Sequence, residues 1–524
     1  MQRLRTTAWR QTRGRSHPAS GSPAYCSQAR SVFSKGTLPI SEGNTVNYLL
    51  RLRVPSLMLL RFGFAAIAAC AVALAGCASV PGGEGQGQTP KNVIIMVADG
   101  AAPTQWDFGR YSSNVLRQQP FVTTDVVFKR GMVGLLITSP ADAYVTDSAA
   151  AGSAMATGFR VNNGVVSVTP DGKSIATVME AARAKGKRIG LVTTATVYDA
   201  TPAAFSIHAR SRRDSQALVD QFLSLEPEVL MGGGADYFLP VGVPGGKRKD
   251  GKDVIAAFRA KGYQVARNTA ELQAATGPRL LGLFADDDMD FEIDRDPAKE
   301  PTTAEMAQAA LKALARSSPN GFVLFVENEN VDTAGHANDA ASLMRALWAF
   351  DDAVRIALDF QRGSPETLVI VTGDHETGGF SPTYALKDLS SLSSANRFYA
   401  GDAQLRMLER ITMSFNAVKD KLGKKPSGEV LDQLLAAHFP GFRLDPDLRE
   451  LILKQRTLER NFSYLPQNAL GRMVARQTGF YWGTSGHTPE PALVGAMGPG
   501  AELFRGYQDN TDFGRHLHRL INGR

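Results

Sequence analysis

Cysteine is nearly absent: the 524-residue chain carries Cys26, Cys70 and Cys77, and none beyond residue 77. A disulfide scaffold and a thiolate-ligated zinc site are therefore excluded for everything downstream. A long membrane span is also missing from the apolar stretch near the front. Its run Phe62–Ala73 is twelve residues, short of the roughly 20 that cross a bilayer. No period of 20–50 residues, the mark of a solenoid or propeller, is apparent. The body also has no basic excess. The whole chain has a formal charge of +7, but ten of its 58 Lys and Arg lie in residues 1–76 beside the single acid Glu42. That leaves 48 basic against 50 acidic residues in the remainder, so nucleic acid is not expected as a specific partner. What is present, 43% hydrophobic and 21% charged residues, is a globular composition.

The front end reads as an address. In MLLRFGFAAIAACAVALAGC, residues 58–77, Arg61 precedes the apolar run and small residues lead into Cys77. This is the three-part form of a secretory signal. Its L-A-G-C ending resembles the bacterial lipobox, which implies a signal peptide over 58–76, a lipid anchor at Cys77 and a place in the bacterial cell envelope, periplasmic or outer-membrane. Residues 77–90 (CASVPGGEGQGQTP) read as a flexible tether. Residues 1–57, Arg- and Ser-rich, read as a mis-called upstream extension or preface before a true start at Met58.

The body alternates short apolar runs with helical patterns. Five runs read as buried parallel strands: Asn92–Ala98, Arg188–Thr194, Phe322–Val326, Leu368–Thr372 and Ala492–Met497. Helical periodicity covers Lys173–Lys185 and Thr303–Arg316, the latter behind an N-cap-like Thr302. The alternation predicts an α/β fold, doubly wound, with a mostly parallel central sheet and helices on both faces. Further helical patterns at Ala403–Lys421, Gly428–His438 and Pro446–Leu458 belong to an insertion of about 384–463 within a catalytic domain of 91–524.

Ligands in such sheets bind at the carboxyl ends of the strands. There the sequence places Asp99, Asp199 with Thr201, Glu327, Asp332, His336, Asp374 and His375, while His487 sits just before the last run. Each alone has a plainer explanation: a turn, a structural histidine, an i,i+4 surface pair. Together the acids would be costly to crowd without cations, and carboxylate plus imidazole suits zinc, with magnesium for an all-oxygen subset. Ser148 opens an Ala-rich helix whose N-terminus favours an anion, although Thr146, Asp147 or Ser148 in that stretch also makes an ordinary N-cap. Arg210, Arg212 and Arg213 follow, and one of them is able to clamp a phosphate.

The segments KNVIIMVADG, VTDSAAAGSAMATG, DATPAAFSIHARSR, FVENENVDTAGHANDA, VTGDHETGG and TSGHTPE, in that order, resemble the alkaline phosphatase family over about residues 91–380 and 465–524. The resemblance implies that Ser148 is the nucleophile and Arg212 the phosphate clamp. It implies one zinc on Asp332, His336 and His487, and a second on Asp99, Asp374 and His375. It implies magnesium on Asp199, Thr201 and Glu327, with Asp99 shared. The implied reaction is hydrolysis of phosphate monoesters through a phosphoserine, and a homodimer is the family's usual state. Thr333 stands where the family varies and makes the magnesium preference open, and Ala285 replaces the glutamate of an animal calcium site. A phosphodiesterase of the same superfamily and a non-catalytic, lipid-anchored phosphate-binding protein are the alternatives. His438, His516 and His518 match no ligand motif and are expected on the surface.

Overall fold

The computed structural model describes residues 89–316 and 318–523. The readings made for 1–57, for the signal and Cys77, and for the tether up to residue 88 fall outside the described residues.

Ten strands form one sheet. In chain order they are β1 Asn92–Ala98, β2 Met132–Ile137, β3 Arg188–Thr196, β4 Val229–Gly233, β5 Gln264–Ala266, β6 Leu280–Leu283, β7 Phe322–Asn328, β8 Thr367–Thr372, β9 Ala492–Met497 and β10 Gly506–Asp509. Their spatial order is β10-β2-β9-β8-β1-β7-β3-β4-β6-β5. All neighbouring pairs are parallel except those of β9, which runs antiparallel to both β8 and β2. The run Ala492–Met497 is thus a strand as expected, but not a parallel one. Five strands, β2, β4, β5, β6 and β10, were not singled out in the sequence. Three of these have only three to four residues, β5, β6 and β10, too few to show a period.

The central strands read as unbroken apolar runs because both of their faces are covered. In β1, Ile94, Met96 and Ala98 face one core, while Val93, Ile95 and Val97 face the other, all with no exposed surface. The first core is closed by helices Thr303–Ala315 and Ala340–Gly363, through residues such as Met306, Leu314, Leu347 and Phe350. The second is closed by helices Ser148–Thr157, Val178–Ala184, Ser215–Leu225 and Asn510–Asn522. Each fully buried Val, Ile or Leu adds roughly 1.5–3 kcal/mol of transfer free energy.

Helix Thr303–Ala315 starts where the sequence places it. Thr302 Oγ1 accepts from the Glu305 amide at 3.1 Å, and Glu305 Oε2 accepts from the Thr302 amide at 2.9 Å, a reciprocal capping box. The stretch 384–463 contains helices Asp402–Glu409, Phe415–Leu422, Gly428–His438 and Pro446–Leu453, plus the antiparallel ribbon Tyr384–Leu386/Arg397–Tyr399. Leu405, Phe415, Leu431 and Ile452 join its helices to the first core.

Candidate active site

Four adjacent central strands, β8, β1, β7 and β3, deliver most of the predicted residues. Asp99 follows β1, Glu327 lies in β7, Asp374 and His375 follow β8, and Asp199 and Thr201 follow β3. Parallel strands present their carboxyl ends together, so residues as distant in sequence as Asp99 and His375 meet at one edge.

Ser148 is the first residue of its helix, and Asp147 is the N-cap, accepting from the Ala150 amide at 3.0 Å. Every residue of that helix is buried, with Ala and Gly letting it lie against Ala204 and Thr201. The Ser148 hydroxyl lies 3.1 Å from His375 Nε2. The same nitrogen lies 3.4 Å from Asp99 Oδ1 and 3.3 Å from Asp374 Oδ2. Those two carboxylate oxygens are buried and have no hydrogen-bond partner.

A second convergence stands beside the first. His336 Nε2 is 3.1 Å from Asp332 Oδ2, His487 Nε2 is 3.5 Å from Asp332 Oδ1, and the two Nε2 atoms are 3.2 Å apart. Their opposite nitrogens fix the tautomers: Nδ1–H of His336 donates to the Ser485 carbonyl and Nδ1–H of His487 to that of Thr146, each at 2.7 Å. Both Nε2 atoms thus turn to the Asp332 carboxylate, and although burial opposes it, Asp332 and the Ser485 carbonyl hold His336 above the ordinary imidazole value. The third candidate group is looser. Glu327 Oε2 accepts from Thr193 Oγ1 at 2.6 Å and its Oε1 is buried without a partner. Thr201 Oγ1 donates to Asp99 Oδ2 at 3.2 Å. Asp199 turns to Arg212, accepting from Nη2 at 3.2 Å.

The electrostatics match unneutralised ligands. Burial, then Asp374, Asp332 and Glu327, push Asp99 well above the ordinary carboxylate range. Burial also raises Glu327, with Asp199 and Asp374 adding to it. Asp374 is lifted to about 7 by burial and Asp332. Asp332 goes the other way: burial opposes it, but His336, His487 and His375 hold it below the usual range. Burial and His487 press His375 well below the ordinary imidazole value. The orphaned oxygens, the converging groups Asp99, Asp374, His375 and Asp332, His375, His487, and the purely oxygen and imidazole donors all fit divalent cations.

Arg212 reaches over this floor, with Nη1 3.3 Å from Asp147 Oδ2 and Nη2 on Asp199, while Arg210 and Arg213 are exposed. The residues predicted from sequence thus come together, with Asp199 held by the guanidinium. The structure adds others. Asp147 positions Arg212 as well as capping the helix. Thr377 Oγ1 donates to Asp332 Oδ1. Tyr464 stacks on His336, ring centroids 5.1 Å apart. Glu329, raised by burial, Asp288 and Asp332, accepts from Thr333 and leaves Oε2 buried and unpaired. Asp147, Thr377 and Glu329 stand within the motifs as acids or hydroxyls, so their chemistry was visible but not their aim; Tyr464 carried no signal. Of the histidines expected on the surface, none is fully exposed. His438 bonds Thr412, His518 bonds the Ala156 carbonyl at 3.0 Å, and His516 packs against Phe504.

The alkaline phosphatase family model matches residues 90–522. The chain belongs to the alkaline phosphatase family. It is 32% identical to the repressible alkaline phosphatase of Saccharomyces cerevisiae, over 82% of this chain and 81% of the yeast protein. It is 30% identical to alkaline phosphatase 3 of Bacillus subtilis, over 82% of this chain and 89% of that protein. Among solved structures, the alkaline phosphatase of Thermus thermophilus superimposes with a TM-score of 0.74 at 30% identity, covering 85% of this chain and 96% of that one. A cold-active Shewanella alkaline phosphatase gives 0.66 at 31% identity, covering 82% and 99%. As a family member the chain is an enzyme, a phosphomonoesterase, built on the family's mostly parallel sheet.

Proposed function

We propose that this chain hydrolyses phosphate monoesters by passing the phosphoryl group to Ser148 and then to water, at a site holding two zinc ions and one magnesium. The observation that carries the reading is the meeting of the Ser148 hydroxyl, His375 and the unpaired oxygens of Asp99 and Asp374 at the N-terminus of one helix. Asp99, Asp374 and His375 would hold one zinc, and Asp332, His336 and His487 the other. Glu327, Thr201 and Asp199 would hold magnesium, with Asp99 shared. Bound there, the ions would neutralise the buried carboxylates, stabilise oxyanion charge and ease deprotonation of hydroxyl and water.

Within this frame the chain's own groups divide the work. Ser148 Oγ attacks phosphorus, the ester P–O bond breaks on the opposite side, and the alcohol leaves. Water then cleaves the Ser148–phosphate bond and releases inorganic phosphate. Arg212, steadied by Asp147 and Asp199, presents its fork to two of a terminal phosphate's three non-bridging oxygens and leaves the third for the ligand cluster, whereas a diester has only two for both. The positive end of the helix that Ser148 opens favours the same anion, the Ala150 amide being taken by Asp147.

The test is metal analysis of the purified protein alongside hydrolysis of 4-nitrophenyl phosphate, with and without chelator, for wild type and Ser148→Ala. Zinc-dependent turnover that vanishes in Ser148→Ala supports the reading; near-normal turnover in that variant refutes it. By the sequence of residues 58–77, the reading extends to a bacterial envelope lipoprotein anchored at Cys77. Mass spectrometry of the native N-terminus decides this, since peptides from 1–57 or an unmodified Cys77 overturn it. A homodimer belongs to the same proposal and is checked by light scattering.

A further inference from the structure

The four rings Tyr464, His336, His487 and His375 form a column. Its centroid spacings are 5.1 Å with planes 18° apart, 5.0 Å at 33°, and 3.7 Å at 21°. Ser148 sits at the His375 end. Tyr464 closes the other end and is 38% exposed, so its ring is open to an incoming molecule.

The ring is built in, not draped over. Tyr464 N–H donates to Asn468 Oδ1 at 2.9 Å, and Asn468 Nδ2 donates to the His336 carbonyl at 2.9 Å and to Asn338 Oδ1 at 2.8 Å. The neighbouring Ser463 amide donates at 2.9 Å to Ser485 Oγ, whose own carbonyl accepts from His336. One set of bonds thus ties Tyr464 to the helix Asn330–Ala337 that carries His336 and to the segment leading into His487.

Phosphoryl transfer is in line, with the attacking and leaving oxygens on opposite sides of phosphorus. With Ser148 at the His375 end, the ester oxygen departs toward Asp332, His336 and His487. The group attached to that oxygen then extends past His336, where Tyr464 stands. We propose that Tyr464 is the wall that receives the alcohol side of the ester and favours planar, aromatic leaving groups over alkyl ones. The inference rests on the phosphomonoesterase reading. Aromatic stacking supplies the preference, so removing the ring should cost about fivefold in discrimination.

The experiment compares wild type, Tyr464→Phe and Tyr464→Ala. The kcat/KM ratio for phenyl phosphate over glycerol 2-phosphate is measured. Binding of phenylphosphonate and methylphosphonate is followed by calorimetry, which needs no turnover, and zinc affinity by chelator competition. Tyr464→Ala should lower the ester ratio about fivefold, weaken phenylphosphonate alone and leave zinc affinity intact, while Tyr464→Phe keeps the wild-type preference. A ratio unchanged within about twofold overturns the proposal. So does an equal loss for both esters together with weaker zinc binding, which assigns Tyr464 to propping His336. If wild type turns over neither ester, the phosphomonoesterase reading falls by itself, and the phosphonate pair still decides the role of Tyr464.

Discussion

Glu376 is the residue through which the active-site floor is held, and removing it should loosen metal and fold together. It is fully buried and accepts four hydrogen bonds. Gln105 Nε2 at 2.6 Å and the Phe380 amide at 3.1 Å reach Oε1; the Gly379 amide at 3.1 Å and Thr488 Oγ1 at 2.6 Å reach Oε2. The bond to Thr488 crosses the two-residue ladder in which His487 pairs with Thr377 and Thr488 with Glu376. His375 immediately precedes one strand of that ladder and His487 opens the other, so Glu376 helps set the distance between the two imidazoles. Glu376→Ala leaves the Gly379 and Phe380 amides without acceptors, since Thr488 and Gln105 can turn elsewhere. At about 1–3 kcal/mol per stranded buried amide, the loss is roughly 2–6 kcal/mol before any cavity cost. Glu376→Gln does best with its NH₂ toward Thr488, whose hydroxyl can accept, and then strands only Gly379, for about 1–3 kcal/mol. Supports of this kind typically change metal affinity about 10- to 100-fold. Urea unfolding in chelator gives the stabilities, and competition with a chromophoric chelator gives the zinc affinities. If Glu376→Gln unfolds within about 0.5 kcal/mol of wild type and binds zinc equally well, the network does not hold the ligands and the reasoning fails.

Asp351 offers a metal-independent pH test. Buried and accepting from the Val122 and Thr123 amides, it is raised by burial from 3.8 to about 6. The folded state keeps a proton that the unfolded state releases, so its contribution falls as pH rises from 3.8 to about 6. The stability of wild type relative to Asp351→Asn should therefore drop by about 3 kcal/mol across that window; a flat or rising difference contradicts it. Zinc affinity should rise between about pH 5 and 8, with protons released on binding, because Asp99 and Asp374 are raised and must ionise to ligate. Calorimetry in two buffers of different ionisation enthalpy reads the proton count, and a count of zero would sink the assignment. Arg212→Lys should raise the inhibition constant of inorganic phosphate about tenfold by losing the two-pronged contact, and Arg212→Ala should raise KM more than it lowers kcat. Saturation kinetics showing kcat as the main casualty would place Arg212 in the chemistry instead.

Sequence legibility followed burial. The strands β1, β3, β7 and β8 are covered on both faces, so their apolar runs stand out without periodicity. Thr302 announces the start of helix Thr303–Ala315 by local chemistry alone. The ligands were legible because their residue types are scarce at strand ends and their chemistry is specific. Their supports were not: Thr193, Thr377 and Glu376 act through aim, and aim depends on partners up to 271 positions distant. Tyr464 is an ordinary aromatic until the fold lays it on His336.

The direction of β9 was within reach of the sequence all the same. Its apolar run ALVGAM looks alike whichever way it travels, which is why it reads as one more parallel strand. Yet His487 must stand at the carboxyl edge with the other ligands, and only four residues, Thr488–Pro491, separate it from Ala492. The five Cα steps from His487 to Ala492 extend at most about 18 Å, barely the roughly 17 Å of the six-residue strand they would have to retrace, so a parallel β9 would leave nothing for the turn into it. A chain that leaves the active site at His487 and enters a strand at once has to run away from that edge. The antiparallel pairing of Val494 with Thr372 and Met497 with Val369 is that consequence. A ligand placed before a strand, rather than after it, reverses the strand.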